Sequence, residues 1–192
     1  MPNNNQALKT VRRFWPRCLA AIGVLIAVIL IAASIYLYAG WYNIAATEPH
    51  LDVTENAIRT FVRASVQNHA GQVASPPSEM AALSDTLAGF AAYDEMCVDC
   101  HGAPGIGRSE FGQGLYPLGP SLTERDTIWT DRELFWIVKH GLKMTGMPAF
   151  GPTHSDEQIW ELVVFTKHLS EMSYYQYLNL QDSLGNAHTH EH

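Results

Sequence analysis

Cysteine is nearly absent from this chain of 192 residues: there are three, at positions 18, 97 and 100. That scarcity argues against a structural zinc site, which takes four ligands and usually more thiols. Strand signals are missing as well. No run alternates apolar and polar residues between hairpin turns, so an all-helical fold is expected. Charge is absent from Leu19 to Gly40, and that length matches the roughly 20 residues needed to cross a bilayer core. No acidic residue precedes Glu48, whereas Lys9, Arg12, Arg13 and Arg17 come before the apolar run. The basic flank places residues 1–18 in the cytoplasm, the span at 19–42, and everything after it outside. Tyr36, Tyr38, Trp41 and Tyr42 suit an outer aromatic belt. A cleaved signal peptide has a shorter apolar region, about 7 to 15 residues, and ends in a small-residue site that is not evident here; an uncleaved anchor is expected. Basic residues then become scarce. From Thr47 onward there are 8 Lys and Arg against 19 Asp and Glu, a balance of −11. An acidic exterior argues against nucleic acid and against adhesion to anionic headgroups.

What is present is concentrated in Cys97-Val98-Asp99-Cys100-His101, a CxxCH motif. Positions i and i+3 share a helical face, so both sulfurs can reach the two vinyl groups of one porphyrin. His101 then falls under the iron as an axial ligand. A redox pair of the thioredoxin kind wants a βαβ pattern, and none is nearby. One covalently attached haem c is the expected cofactor. Cys18 precedes the apolar run and reads as an inert thiol.

The iron needs a ligand on its other side, and Met147 in Gly146-Met147-Pro148-Ala149-Phe150-Gly151 offers a thioether. Sulfur ligation raises the reduction potential relative to a second imidazole and leaves no position open for substrate. Pro148 biases Met147 toward an extended backbone, so the sulfur is carried by a stiff loop. Met144 is the competitor three residues away. His140 and His154 read as helix-end or surface histidines.

Together these segments resemble the class I c-type cytochromes, specifically the membrane-anchored single-haem bacterial members. The resemblance runs from about Leu87 to Leu169. It rests on Gly89-Phe90-Ala91-Ala92-Tyr93, the haem motif followed by Gly102, Gly119-Pro120-Ser121-Leu122, the Met147 segment, and Ser155-Asp156-Glu157-Gln158-Ile159-Trp160. It implies a cytochrome c fold, three to four helices around the haem. It also implies that the Pro120 carbonyl accepts the Nδ1 proton of His101, holding the ring and raising its basicity. Pro117, beside Tyr116, competes for that role because the stretch from Ala103 to Leu118 is long for the family. First and last helices should cross at Gly89, bringing Gly89 and Tyr93 against Trp160 and its neighbours. Haem attachment outside the inner membrane is implied too, with the domain in the periplasm.

The remaining organisation follows local signals. Residues 43–83 read as a juxtamembrane helix and linker, with Thr54 as cap and Ile58, Phe61, Val62 and Val66 at helical spacing. Ser75-Pro76-Pro77-Ser78 breaks it, and 84–172 is the cytochrome domain. Helix one carries Gly89 to Cys100. Thr130-Asp131-Arg132-Glu133 and Ser155-Asp156-Glu157-Gln158 are capping boxes, and Gly141 closes the helix opened by the first. Residues 173–192 form an extension whose His188, His190 and His192 have a metal-binding composition. The expected function is electron carriage between redox partners at the membrane, rather than catalysis. The alternatives are a fixed subunit of a membrane oxidoreductase such as an oxidase or dehydrogenase, and a haem catalyst or sensor, which needs an open iron site. Donor and acceptor are not legible.

Overall fold

A computed structural model describes residues 4–75, 87–124 and 129–189. The chain divides into two compact units, residues 1–48 and 49–192. The first is built on α1, Asn4–Tyr38. Its stretch Trp15–Tyr38 has a mean hydropathy of 2.9 and no buried side chain. The helix stops at Gly40, which takes φ +69. The Trp41 amide then donates back to the Tyr36 carbonyl, the wrap-around that a left-handed glycine permits at a helix end. The Tyr36 and Trp41 rings meet edge to face across this turn.

The second unit is helical, with no strand among the described residues. Its elements are α2 (Asp52–Ala70), α3 (Leu87–Met96), α4 (Val98–His101), α5 (Glu110–Gln113), α6 (Asp131–His140), α7 (Asp156–His168), a 3₁₀ turn (Leu169–Glu171) and α8 (Tyr174–Thr189). Both capping boxes form as expected. Thr130 and Ser155 side chains accept the N3 amides, while Glu133 and Gln158 reach back to the cap amides. Two orphan donors are thereby satisfied at each helix start. Gly141 closes α6 with φ +65.

Helices α3 and α7 cross at Gly89, where a Cβ would stand 2.7 Å from the Glu161 carbonyl oxygen. Backbone cannot yield there, so only glycine allows this approach. Phe90 and Tyr93 follow on the same face and pack on Phe165 at 5.7 Å between ring centres. Trp160 turns the other way and stacks on Phe135 of α6 at 4.3 Å. The core is accordingly two clusters, one around Phe90, Tyr93, Leu162, Phe165 and Tyr177, the other around Leu134, Phe135, Ile159, Trp160 and Val163. Burying each such aromatic is worth about 2–3 kcal/mol.

Local expectations for α2 and for the first helix of the domain are corrected. Helix α2 starts at Asp52 after Leu51, so Thr54 lies in its first turn and caps nothing; Asp52 and Glu55 there meet the positive end of the helix dipole instead. Of the apolar stripe on α2, Val66 is buried, but Ile58 and Phe61 are exposed. The first helix of the domain ends at Met96, and Cys97 (φ −115) separates it from α4. Helix α8 falls within the residues read as an extension, yet its Tyr177 is fully buried against Phe90 at 5.1 Å. The Tyr177 hydroxyl donates to Asp94, which also accepts from Gln181. Residues 190–192, and hence most of the histidine tail, lie outside the described residues.

Candidate functional site

The CxxCH residues form one tight turn continuing from α3. The Cys97 amide donates to the Tyr93 carbonyl, and the amides of Cys100 and His101 both donate to the Cys97 carbonyl at 3.1 and 2.9 Å. The i, i+3 relation of the thiols therefore survives the break between helices. Both cysteines are free thiols, Cys97 buried and Cys100 half-buried. Burial, with a smaller contribution from the neighbouring Cys100, pushes the Cys97 thiol up to about 12. Gly102 ends the turn at φ +73, where a Cβ would meet the Ile106 carbonyl oxygen at 2.8 Å. The buried Tyr93 hydroxyl donates to the Gly102 carbonyl at 2.6 Å, so α3 grips the chain immediately after His101.

His101 and Pro120 are brought together. The ring Nδ1 lies 2.8 Å from the Pro120 carbonyl oxygen. A carbonyl only accepts, so Nδ1 carries the proton and Nε2 presents a lone pair. Burial lowers the pKa of His101; the Pro120 bond opposes this and the Arg108 charge adds to it, so the neutral ring is favoured. Gly119 lies flat beside the ring, with a Cβ there 3.3 Å from its Cε1 and Nδ1 and 2.9 Å from the Cys100 carbonyl. Arg108 is a component that motif reading did not find. Its guanidinium donates to the Cys100 carbonyl (3.0 Å) and twice to the Gly119 carbonyl (2.6 and 3.1 Å). It thus ties the cysteine turn to the segment that holds the histidine. No sequence signal marked it beyond being a lone cation in a glycine-rich stretch. Gly112 of α5 presses on the same turn, its Cβ position only 2.1 Å from the Asp99 carbonyl oxygen.

Met147 sits on a separate loop. Its carbonyl accepts from the Leu142 amide at 3.2 Å, and its own amide donates to the Thr145 hydroxyl, which in turn donates to the Leu142 carbonyl. The loop is laid on the end of α6 by bonds from the amides of Phe150 and Gly151 to the carbonyls of Val138 and Lys139. Gly141 makes this possible, because a Cβ there would strike Pro148, Ala149 and Met147 at 2.7–2.8 Å. Met147 is half-buried, whereas Met144 is 97 % exposed. The two loops meet where Leu115 packs on Gly146. His140 lies against Trp136, and His154 against Phe150 with its Nδ1 beside the Thr153 hydroxyl.

The chemistry of this donor set fits a covalently held porphyrin: two thiols one turn apart, then an imidazole whose outer nitrogen is freed by a carbonyl on the inner one. A helical fold with this turn is what a class I c-type cytochrome domain requires, and the comparison at residues 84–165 supports that class. The same residues match the family model described as cytochrome c oxidase, cbb3-type, subunit III. No curated protein and no solved structure matches the chain. The domain is that of an electron-carrying cytochrome, and its family implies covalently bound haem c.

Proposed function

We propose that the protein is a membrane-tethered carrier of single electrons with one haem c. Cys97 and Cys100 would hold the porphyrin through thioethers, and His101 and Met147 would take the two axial positions. Haem c, when bound, supplies a one-electron couple; the chain's task is to fix it, shield it and set its potential. The observation that carries this reading is the Nδ1 bond from His101 to Pro120 beside the two thiols. It presets ring orientation and tautomer before any metal arrives, which favours ligation at Nε2. A neutral thioether opposite would favour the ferrous state relative to a second imidazole. With its iron held by both His101 and Met147, such a centre would suit electron transfer rather than turnover of a substrate.

Helix α1 is long and apolar enough to cross a bilayer, and the basic residues before it favour a cytoplasmic N-terminus with the cytochrome domain on the periplasmic side of a bacterial inner membrane. On this reading residues 19–42 are the anchor and 84–172 the redox domain. Material matured in a host competent for haem attachment should be membrane-bound and coloured. A pyridine haemochrome assay should return one haem per chain, and reduced protein should show no spectral change with carbon monoxide. Colourless protein, or ready binding of carbon monoxide, contradicts the proposal.

The matched family model favours a second reading, a fixed subunit of a membrane oxidoreductase. Mild-detergent extraction separates the two. A subunit co-purifies in stoichiometric amount with other haem or metal polypeptides, whereas a carrier leaves the membrane alone.

A further inference from the structure

Helix α2 has two apolar faces, and only one is used. Toward its C-terminal end Val66 and Ala70 are 1 % and 3 % exposed, and His69 lies on Trp136 of α6. On the other side Val53 and Phe61 are each 73 % exposed and Ile58 is 46 % exposed, following Leu51 at 63 %. At 100° per residue Val53, Ala57, Phe61 and Ile58 fall within one stripe, while Asp52, Asn56, Arg59 and Arg63 lie opposite. Nothing in the helix's own chemistry requires phenylalanine, isoleucine and valine in water.

We propose that this face of α2 lies in the lipid–water interface of the membrane that α1 spans, a proposal that rests on the anchoring given above. Three observations favour lipid over a protein partner. The first is reach. The chain is fixed again at His50, whose amide donates to the Tyr116 hydroxyl. Residues 39–49 therefore bridge helix and domain, and fully extended they span at most about 40 Å. The bilayer is thus permanently at high effective concentration beside α2, and any other occupant competes with it. The second is charge. The −11 balance after Thr47 would repel anionic headgroups, but α2 holds two arginines against two acids and is neutral. The exposed apolar stripe is therefore carried by a helix without net charge. The third is shape: an apolar stripe opposite a charged one, at low overall hydrophobicity, is what an in-plane interfacial helix needs. Docked in this way, α2 would fix which side of the haem domain faces the membrane through its packing on α6.

Nitroxide labels in haem-loaded, full-length protein in lipid nanodiscs test the proposal. The background is Cys18→Ser, with Cys97 and Cys100 occupied by thioethers. Single labels are placed through Phe61→Cys, Asn56→Cys and Ile29→Cys, and power saturation compares molecular oxygen with an aqueous nickel chelate. The expected result is a Phe61 site several-fold less accessible to nickel than Asn56, and enriched in oxygen. Nickel access at Phe61 equal to that at Asn56 overturns the inference. So does shielding from both reagents, which marks protein cover. The Ile29 label keeps the two readings apart: if it alone is oxygen-rich, the anchor stands and only the α2 proposal falls, whereas nickel access at Ile29 removes the anchor itself.

Discussion

The histidine side and the methionine side of the site are held by different means. Around His101 the fixed points are close backbone approaches and a cation. Gly112 and Gly119 press on the Asp99 and Cys100 carbonyls, and Arg108 binds two carbonyls at once. Around Met147 the backbone is pinned by amide-to-carbonyl bonds on α6, but Gly146, Pro148 and Ala149 are exposed. On the proposed ligation, an imidazole whose ring orientation matters gets a rigid cradle. A thioether, able to reach its target through three rotatable bonds, needs only its backbone fixed. The histidine side should therefore decide whether the domain assembles, and the methionine side how it is tuned.

The largest expected effect compares one glycine from each side. Gly112→Ala puts a methyl group 2.1 Å from a carbonyl oxygen, so α5 must leave the cysteine turn; a loss of about 3 kcal/mol or more is expected. Gly146→Ala meets only the Leu115 side-chain methyls, which can move, and should cost under about 1 kcal/mol. Urea unfolding followed by circular dichroism gives both values. Equal losses would erase the distinction drawn here. Arg108 comes next. Arg108→Leu strips partners from the Cys100 and Gly119 carbonyls, and about 2 kcal/mol is expected. Arg108→Lys keeps the charge without the fork and should recover part of the stability. A leucine variant as stable as wild type would show that the turn and the proline segment hold together without it.

This asymmetry also governs what the sequence disclosed. Motif spacing marked the cysteine turn and its histidine because covalent chemistry demands fixed residue types, and both capping boxes were legible because each satisfies amides three residues apart. Pro120 as the carbonyl beside His101 followed from family resemblance, with Pro117 left open until the structure placed Pro120 2.8 Å from the ring. Arg108 was invisible because its bonds run to carbonyls, which carry no side-chain signature. The start of α2 was misplaced because Thr54 looked like a cap while Leu51 supplied only backbone. Tyr177 escaped notice because α8 buries little else as deeply, so its periodicity is weak.

Alkaline pH should act on the histidine side through two tyrosines. Burial raises the pKa of Tyr93, with Cys97 adding to it; burial also raises that of Tyr177, followed by its bond to Asp94. Raised folded-state values mean that the neutral phenols are favoured by the fold. Their contribution is complete below the unfolded value near 10 and is lost as pH rises above it, by up to about 1.4 kcal/mol per pH unit for each. Stability measured from pH 9 to 11 should fall, and Tyr93→Phe should flatten the fall while lowering the plateau by about 1 kcal/mol, since the Gly102 carbonyl loses its donor. An unchanged slope in Tyr93→Phe would remove this group from the account.

The smallest effect separates the two methionines. Met144 is 97 % exposed at φ +61, so its sulfur leads away from the packed loop. Met144→Leu should change stability by less than about 0.5 kcal/mol and leave the visible spectrum intact. Met147→Leu keeps volume and burial while removing the sulfur. It should leave the fold within about 1.5 kcal/mol of wild type yet abolish the far-red ferric absorption band expected of a methionine-sulfur ligand and admit carbon monoxide. That split, spectrum lost and fold kept, is what a tuning ligand on a backbone-fixed loop predicts. If instead Met144→Leu abolished the band, the sixth ligand would be the exposed sulfur, and the loop would have to refold over Gly141 to deliver it.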